Sequence, residues 1–190
     1  MSQADLLRRV TTALDGAAIP YMLTGSLASS LQGAPRATHD IDLVVAVETD
    51  DVDRLLTALR DPDVYLDEVS AVDAVRSRGM FNLIDPLTGD KVDFWLLTGD
   101  DFDQARFARR ITVAALGVEL AVSKPEDTIL MKLRWARDSG GSQKQIADAV
   151  AVYEVQGSTL DQAYLDEWAV RLGLTGLLAD VRERAEPLAE

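Results

Sequence analysis

The chain has 190 residues, 47% hydrophobic and 27% charged, with a formal net charge of −13 and no cysteine. That composition is ordinary for a folded domain, or a domain with an appended half, and excludes disulfides, thiolate metal sites and a cysteine nucleophile. The acidic balance opposes non-specific attraction to nucleic acid, no apolar run approaches the roughly 20 residues of a membrane span, and the N-terminus lacks a basic-then-apolar leader, so a cytoplasmic location is expected.

In chain order, Leu6, Leu7, Val10 and Leu14 recur at helical spacing and predict an amphipathic helix over residues 3–16. Ile19 to Thr24 reads as a short apolar strand. Gly25 ends it, Ser26 is a candidate N-cap for a helix to Gln32, and Gly33 is a candidate stop. Residues 40–47, Asp-Ile-Asp-Leu-Val-Val-Ala-Val, form a strand with an acidic start. A helix follows over Asp50–Arg60, closed by Pro62, and Asp67–Arg76 stays open between loop and short helix. Met80–Ile84 and Lys91–Leu97 read as a hairpin joined at Asp85–Asp90, residues 101–108 as a short helix, and residues 111–115 and 118–122 as a second hairpin split at Gly117. From Ser123 the pattern turns helical. Ser123 and Glu126 have capping-box spacing, Ser139-Gly140-Gly141 is a break, Ser142 caps the next helix, and two more helices cover about 160–172 and 175–186. The expected organisation is an α/β half, 1–122, and a helical half, 123–190.

Alternate strand residues share a face, so Asp40 and Asp42 point the same way with Cα atoms roughly 6–7 Å apart, while Ile41, Leu43 and Val45 turn to the core. Two such carboxylates can reach one Mg²⁺, or bridge a metal pair about 3.5–4 Å apart. Asp93 is a third acidic group, isolated in the apolar run Val92-Asp93-Phe94-Trp95-Leu96, and a buried unpaired charge there would be costly without a metal or a reacting hydroxyl. Charge is uneven as well: residues 104–144 hold eight Lys/Arg against four Asp/Glu, a window that suits either a polyphosphate or ordinary solvated helix faces. His39 reads as a polar flank to the strand. Trp95, Trp135 and Trp168 read as core, and Lys144 with Asp148 has the spacing of a surface i,i+4 pair.

Leu23-Thr24-Gly25-Ser26, a gap of thirteen residues, Asp40-Ile41-Asp42-Leu43 and then Val92-Asp93-Phe94 together resemble the nucleotidyltransferases of the DNA polymerase β superfamily. Arg36-Ala-Thr-His-Asp-Ile-Asp and Lys124-Pro-Glu-Asp are similar to the minimal bacterial members, which include AbiEii-type toxins and antibiotic or small-substrate transferases. The resemblance implies a small mixed β-sheet flanked by helices, an α/β (α+β) fold with a C-terminal helical part. It implies that Gly25 and Ser26 bind a triphosphate and that Asp40, Asp42 and Asp93 bind Mg²⁺ (or Mn²⁺), with Asp93 assisting the nucleophile. Arg36, Lys132 and Lys144 are further candidates for the nucleotide. The implied reaction moves a nucleoside monophosphate from a nucleoside triphosphate such as ATP to an acceptor hydroxyl and releases pyrophosphate. The acceptor could be a small molecule, a protein side chain or a structured RNA end. A toxin–antitoxin role with a cognate antitoxin, and a catalytically inactive nucleotide- or partner-binding member of the fold, are the alternatives.

Overall fold

A computed structural model describes residues 2–185. They form two compact units, one built from residues up to Thr24 and Thr38–Val122, the other from Gly25–Ala37 and the chain from Ser123 on. Residues 25–37 thus group with the helical half, where the linear division at 122 places them with the α/β half.

The first unit holds α1 (Gln3–Gly16), β1 (Tyr21–Thr24), β2 (Asp40–Val45), α3 (Val52–Leu59, after a single 3₁₀ turn), β3 (Tyr65–Leu66), α4 (Glu68–Ser77), β4 (Met80–Ile84), β5 (Lys91–Leu96), α5 (Asp101–Ala108), β6 (Ile111–Ala115) and β7 (Val118–Val122); α2 (Gly25–Gln32) belongs to the second unit. Short polar side chains start several of these helices. Ser2 and Asp5 make a reciprocal capping box on α1, Asp67 accepts from the backbone N–H groups of Val69 and Ser70, and Asp100 accepts from those of Phe102 and Asp103. Asp67 thereby resolves the open segment as a helix.

The seven strands form one mixed sheet in the order β3-β4-β5-β2-β1-β7-β6. Strand β2 lies antiparallel to β1 and parallel to β5, with Ile41 opposite Val92, Leu43 opposite Phe94 and Val45 opposite Leu96. All six of these side chains are buried, and Phe94 stacks on Phe81 with ring centroids 4.7 Å apart. Burying one face this way fixes the register, because a one-residue slip of either strand would turn its three apolar side chains outward and send its aspartate, Asp42 or Asp93, into the core. On the opposite face, Met22, Val44 and Phe107 of α5 pack together.

The second unit holds α2, α6 (Pro125–Asp138), α7 (Gln143–Gln156), α8 (Gln162–Leu172) and α9 (Thr175–Arg184). Helix α6 starts without the expected capping box. Lys124 is its N-cap, Pro125 takes the first turn, and the Ser123 hydroxyl bonds the Thr128 hydroxyl at 2.7 Å. Glu126 accepts instead from the Asp161 backbone N–H at 2.9 Å, which ties α6 to the start of α8. Ser142 likewise makes no side-chain cap bond on α7. A Cβ on Gly33 would sit 2.8 Å from the Val152 backbone nitrogen, so glycine permits the close approach of the α2 end to α7. Among the described residues no helix is long and apolar enough to cross a membrane.

Candidate functional site

The pairing register arranges the open sheet face as three rows across the strands. The middle row runs Thr24, Asp42, Asp93 and Asn82, because Thr24 pairs with Asp42, Asp42 with Asp93, and Asp93 with Asn82. The row on one side is Asp40, Lys91 and Ile84. The row on the other is apolar: Met22, Val44, Trp95 and Met80. Two-residue spacing within β2 and β5 is thus converted by register into a patch of three carboxylates on adjacent parallel strands.

Exposure falls across the patch. Asp40 is exposed, Asp42 half-buried and Asp93 only 5% exposed. Strand β5 supplies the partners for this charge: Lys91 Nζ lies 2.7 Å from Asp93 Oδ2 and 3.5 Å from Asp40 Oδ1, and Trp95 donates from Nε1 to Asp42 Oδ1 at 3.3 Å. The hydrogen bond to Asp93, helped by both nearby carboxylates, holds the Lys91 ammonium above its ordinary pKa. Asp93 Oδ1 is buried and makes no hydrogen bond. Trp95 is 39% exposed on this face, which corrects its assignment to the core; Trp168 is buried and Trp135 half-buried. His39 is exposed, and its Nδ1 lies 3.7 Å from Asp90 Oδ1, too far for a hydrogen bond.

In the helical unit, Gly25 opens α2 with φ of 68°, a left-handed conformation that suits glycine. Ser26 therefore lies inside the first turn of α2 and is not its N-cap. Its hydroxyl accepts from Arg36 Nη2 at 2.6 Å. The same guanidinium grips Asp148 through Nε and Nη2, both at 2.9 Å, and Lys132 Nζ reaches Asp148 at 2.7 Å. Burial alone would raise the Asp148 pKa, but the hydrogen bonds from Arg36 and Lys132 outweigh it and hold the carboxyl below its usual range. Asp148 is thus the hub joining Ser26, Arg36 and Lys132. The expected surface pair with Lys144 is replaced by these longer-range contacts, and Lys144 is an exposed residue near the start of α7.

The basic window of residues 104–144 is not one open patch. Arg106 is buried against Asp103, Lys132 is buried against Asp148, and Arg137 pairs with Asp138 and donates to the Leu172 carbonyl.

The chain matches the family described as aminoglycoside-2''-adenylyltransferase over residues 6–88, a span that includes Gly25, Ser26, Asp40 and Asp42 and stops short of Asp93. The crystal structure of ANT(2")-Ia in complex with adenylyl-2"-tobramycin is similar with a TM-score of 0.57 at 15% identity, covering 98% of this chain and 100% of that one. The solution structure of the antibiotic-resistance factor ANT(2'')-Ia gives 0.54 at 14% identity, covering 96% and 98%. This chain has the nucleotidyltransferase fold. An antigenic nucleotidyltransferase-like protein from Paracoccidioides brasiliensis is also similar, at 18% identity and a TM-score of 0.49 over 96% of this chain and 93% of that one. No curated protein sequence matches the chain.

Among the described residues no group of three carboxylates or imidazoles is gathered closely enough to hold a metal ion as it stands. The donor chemistry nonetheless fits a hard divalent cation, since the patch offers only carboxylate oxygens and Asp93 Oδ1 is a buried acceptor with no donor. Lys91 was not singled out from the sequence, although its place two residues ahead of Asp93 on one strand puts it on the carboxylate face. The Asp148 hub had no comparable local signal, because Arg36 lies 112 residues away.

Proposed function

We propose that the protein is an adenylyltransferase, joining the α-phosphate of ATP to a hydroxyl of a compact, cationic acceptor. The observation that carries the reading is the register that sets Asp42 opposite Asp93, with Asp40 two residues ahead on the same face. The fold and the family match support transfer of a nucleoside monophosphate from a nucleoside triphosphate as the reaction class.

In the proposed reaction the acceptor oxygen forms a bond to the α-phosphorus as the bond from that phosphorus to the β-bridging oxygen breaks, and pyrophosphate leaves with the electron pair. Asp93 takes the hydroxyl proton, a role suited to a buried carboxylate with an uncommitted oxygen. Asp40, Asp42 and Asp93 would hold Mg²⁺, which neutralises phosphate charge and organises the in-line displacement. Gly25 and Ser26 are assigned to the triphosphate by resemblance, with Arg36 fixing the Ser26 hydroxyl and Lys132 acting through Asp148. Lys144 is the exposed candidate for a phosphate contact.

A cationic acceptor agrees with the net charge of −13, and the ANT(2")-Ia structure holds an adenylylated tobramycin. This favours the small-substrate branch of the resemblance over the toxin branch. The test is incubation with each labelled nucleoside triphosphate, Mg²⁺ and a panel of aminosugars or cell extract. Label should pass to a small cationic product, and Asp42→Asn and Asp93→Asn should lower turnover by at least about a hundredfold. Undiminished turnover in both variants would overturn the assignment. Tight nucleotide binding with no transfer to any acceptor would favour the non-catalytic alternative.

A further inference from the structure

Lys91 is in an unusual place for a strand lysine. Its side chain is about one third exposed, so the ammonium has water within reach, yet it turns across the face and sits between two carboxylates of different strands. The contact is direct to Asp93, whose side chain is 8% exposed, and longer to Asp40, whose side chain is 52% exposed. The register explains why this cation is available there. Asp40 pairs with Lys91 while Asp42 pairs with Asp93, so the lysine occupies the fourth corner of a square whose other three corners are acidic.

Three carboxylates on one face repel one another, and the repulsion grows where Asp93 is withdrawn from water. One ammonium at hydrogen-bond range relieves much of that repulsion, as a bound cation would. It does so incompletely, since an ammonium cannot serve every oxygen of three carboxylates and Asp93 Oδ1 stays without a donor. A divalent ion drawing on Asp40 and Asp93 would lie beside the oxygens that Lys91 contacts, and its charge would repel the ammonium there.

We propose that Lys91 is a placeholder cation: its ammonium neutralises Asp40 and Asp93 in the metal-free protein, and a divalent cation loads on this edge by displacing it. The inference rests on the metal-dependent reading of the carboxylate face given above. It makes Lys91 an internal competitor for the metal, on a flexible four-carbon stem that can swing away when the metal arrives. Lys91 therefore trades metal affinity for stability of the empty protein, and its removal should move the two in opposite directions.

The experiment is Mn²⁺ titration of the full chain without nucleotide, read by electron paramagnetic resonance of the free ion, at fixed neutral pH. Wild type, Lys91→Met, Lys91→Arg and Asp42→Asn are compared, with thermal unfolding of each in chelator and in saturating Mn²⁺. Lys91→Met should bind Mn²⁺ at least about tenfold more tightly, the order expected from removing one competing charge at contact range. It should also melt lower than wild type in chelator and regain the loss when Mn²⁺ is added. Lys91→Arg keeps the charge and should stay close to wild type in affinity, which holds the test open if the methionine variant folds poorly. Unchanged or weaker Mn²⁺ binding in Lys91→Met, with binding in wild type that Asp42→Asn abolishes, overturns the placeholder and leaves the metal site standing. Equal Mn²⁺ binding, or none, in wild type and Asp42→Asn overturns the metal reading itself, and the placeholder falls with it.

Discussion

Replacing Asp148 with alanine takes the carboxylate away from two cations at once. Lys132 is 1% exposed and bonded to Asp148 at 2.7 Å, while Arg36 makes two bonds of 2.9 Å to the same side chain. Deleting one partner of a buried ion pair typically costs about 3–5 kcal/mol, because the remaining charge is left desolvated. Arg36 can turn to water, since its side chain is 28% exposed, so most of the cost falls on Lys132. We expect Asp148→Ala to lose about 3–4 kcal/mol in urea unfolding, near the lower half of that range. Pairing it with Lys132→Met should return on the order of 2 kcal/mol as a coupling energy in a double-mutant cycle. The pH dependence has a definite sign. A carboxyl held below its unfolded pKa of about 3.9 contributes stability that is fully present above that value and is lost as pH falls through the lower folded value. Asp148→Asn should therefore flatten the stability profile below about pH 4. A loss under about 1 kcal/mol for Asp148→Ala, the size of a surface ion pair, would refute the claim that this carboxylate is a buried hub.

Gly33→Ala should destabilise by about 1–3 kcal/mol, because the added methyl would lie 2.8–2.9 Å from the backbone of Val152 and Ala151, which cannot swing aside as a side chain could. Thermal unfolding checks this, and an unchanged midpoint would mean that α2 and α7 can separate at little cost. Binding to unstructured RNA at physiological salt should be weak, with a salt slope equal to only about two or three phosphates, since the net charge is −13 and Arg106, Lys132 and Arg137 of the basic window are internally paired. Fluorescence anisotropy over a salt series measures that slope, and tight, steep binding would contradict it.

What the sequence could yield follows the range over which each interaction is encoded. Strand alternation is local, so the common face of Asp40 and Asp42 and the isolation of Asp93 were legible from a few residues each. Helices α1, α5 and α6 were legible for the same reason, apart from the cap of α6, where Ser123 and Glu126 have the right spacing and spend their hydrogen bonds on Thr128 and Asp161. Strand β3, two residues long, is too short for any periodicity to mark it. Pairing register is a different kind of information. That Asp42 faces Asp93 depends on burying Ile41, Leu43 and Val45 beside Val92, Phe94 and Leu96, a fit between strands some fifty residues apart.

The same distinction explains the charges. Lys144 and Asp148 satisfy an i,i+4 rule that describes exposed helix surfaces, where pairs are worth a few tenths of a kcal/mol. Asp148 is buried, and a buried carboxylate gains far more from ligands that surround it than from one flexible neighbour on its own helix. Lys132 and Arg36 provide that surround from α6 and from the segment after α2, so the local rule loses to a non-local one. On the open sheet face the order is reversed. Lys91 is two residues from Asp93 and the strand period alone puts them on one face, whereas Asp40 comes beside it only through the register. Charge that is costly to bury is thus matched locally on the sheet face and over long range among the helices, and one buried oxygen of Asp93 that makes no hydrogen bond lies where the proposed chemistry needs an acceptor.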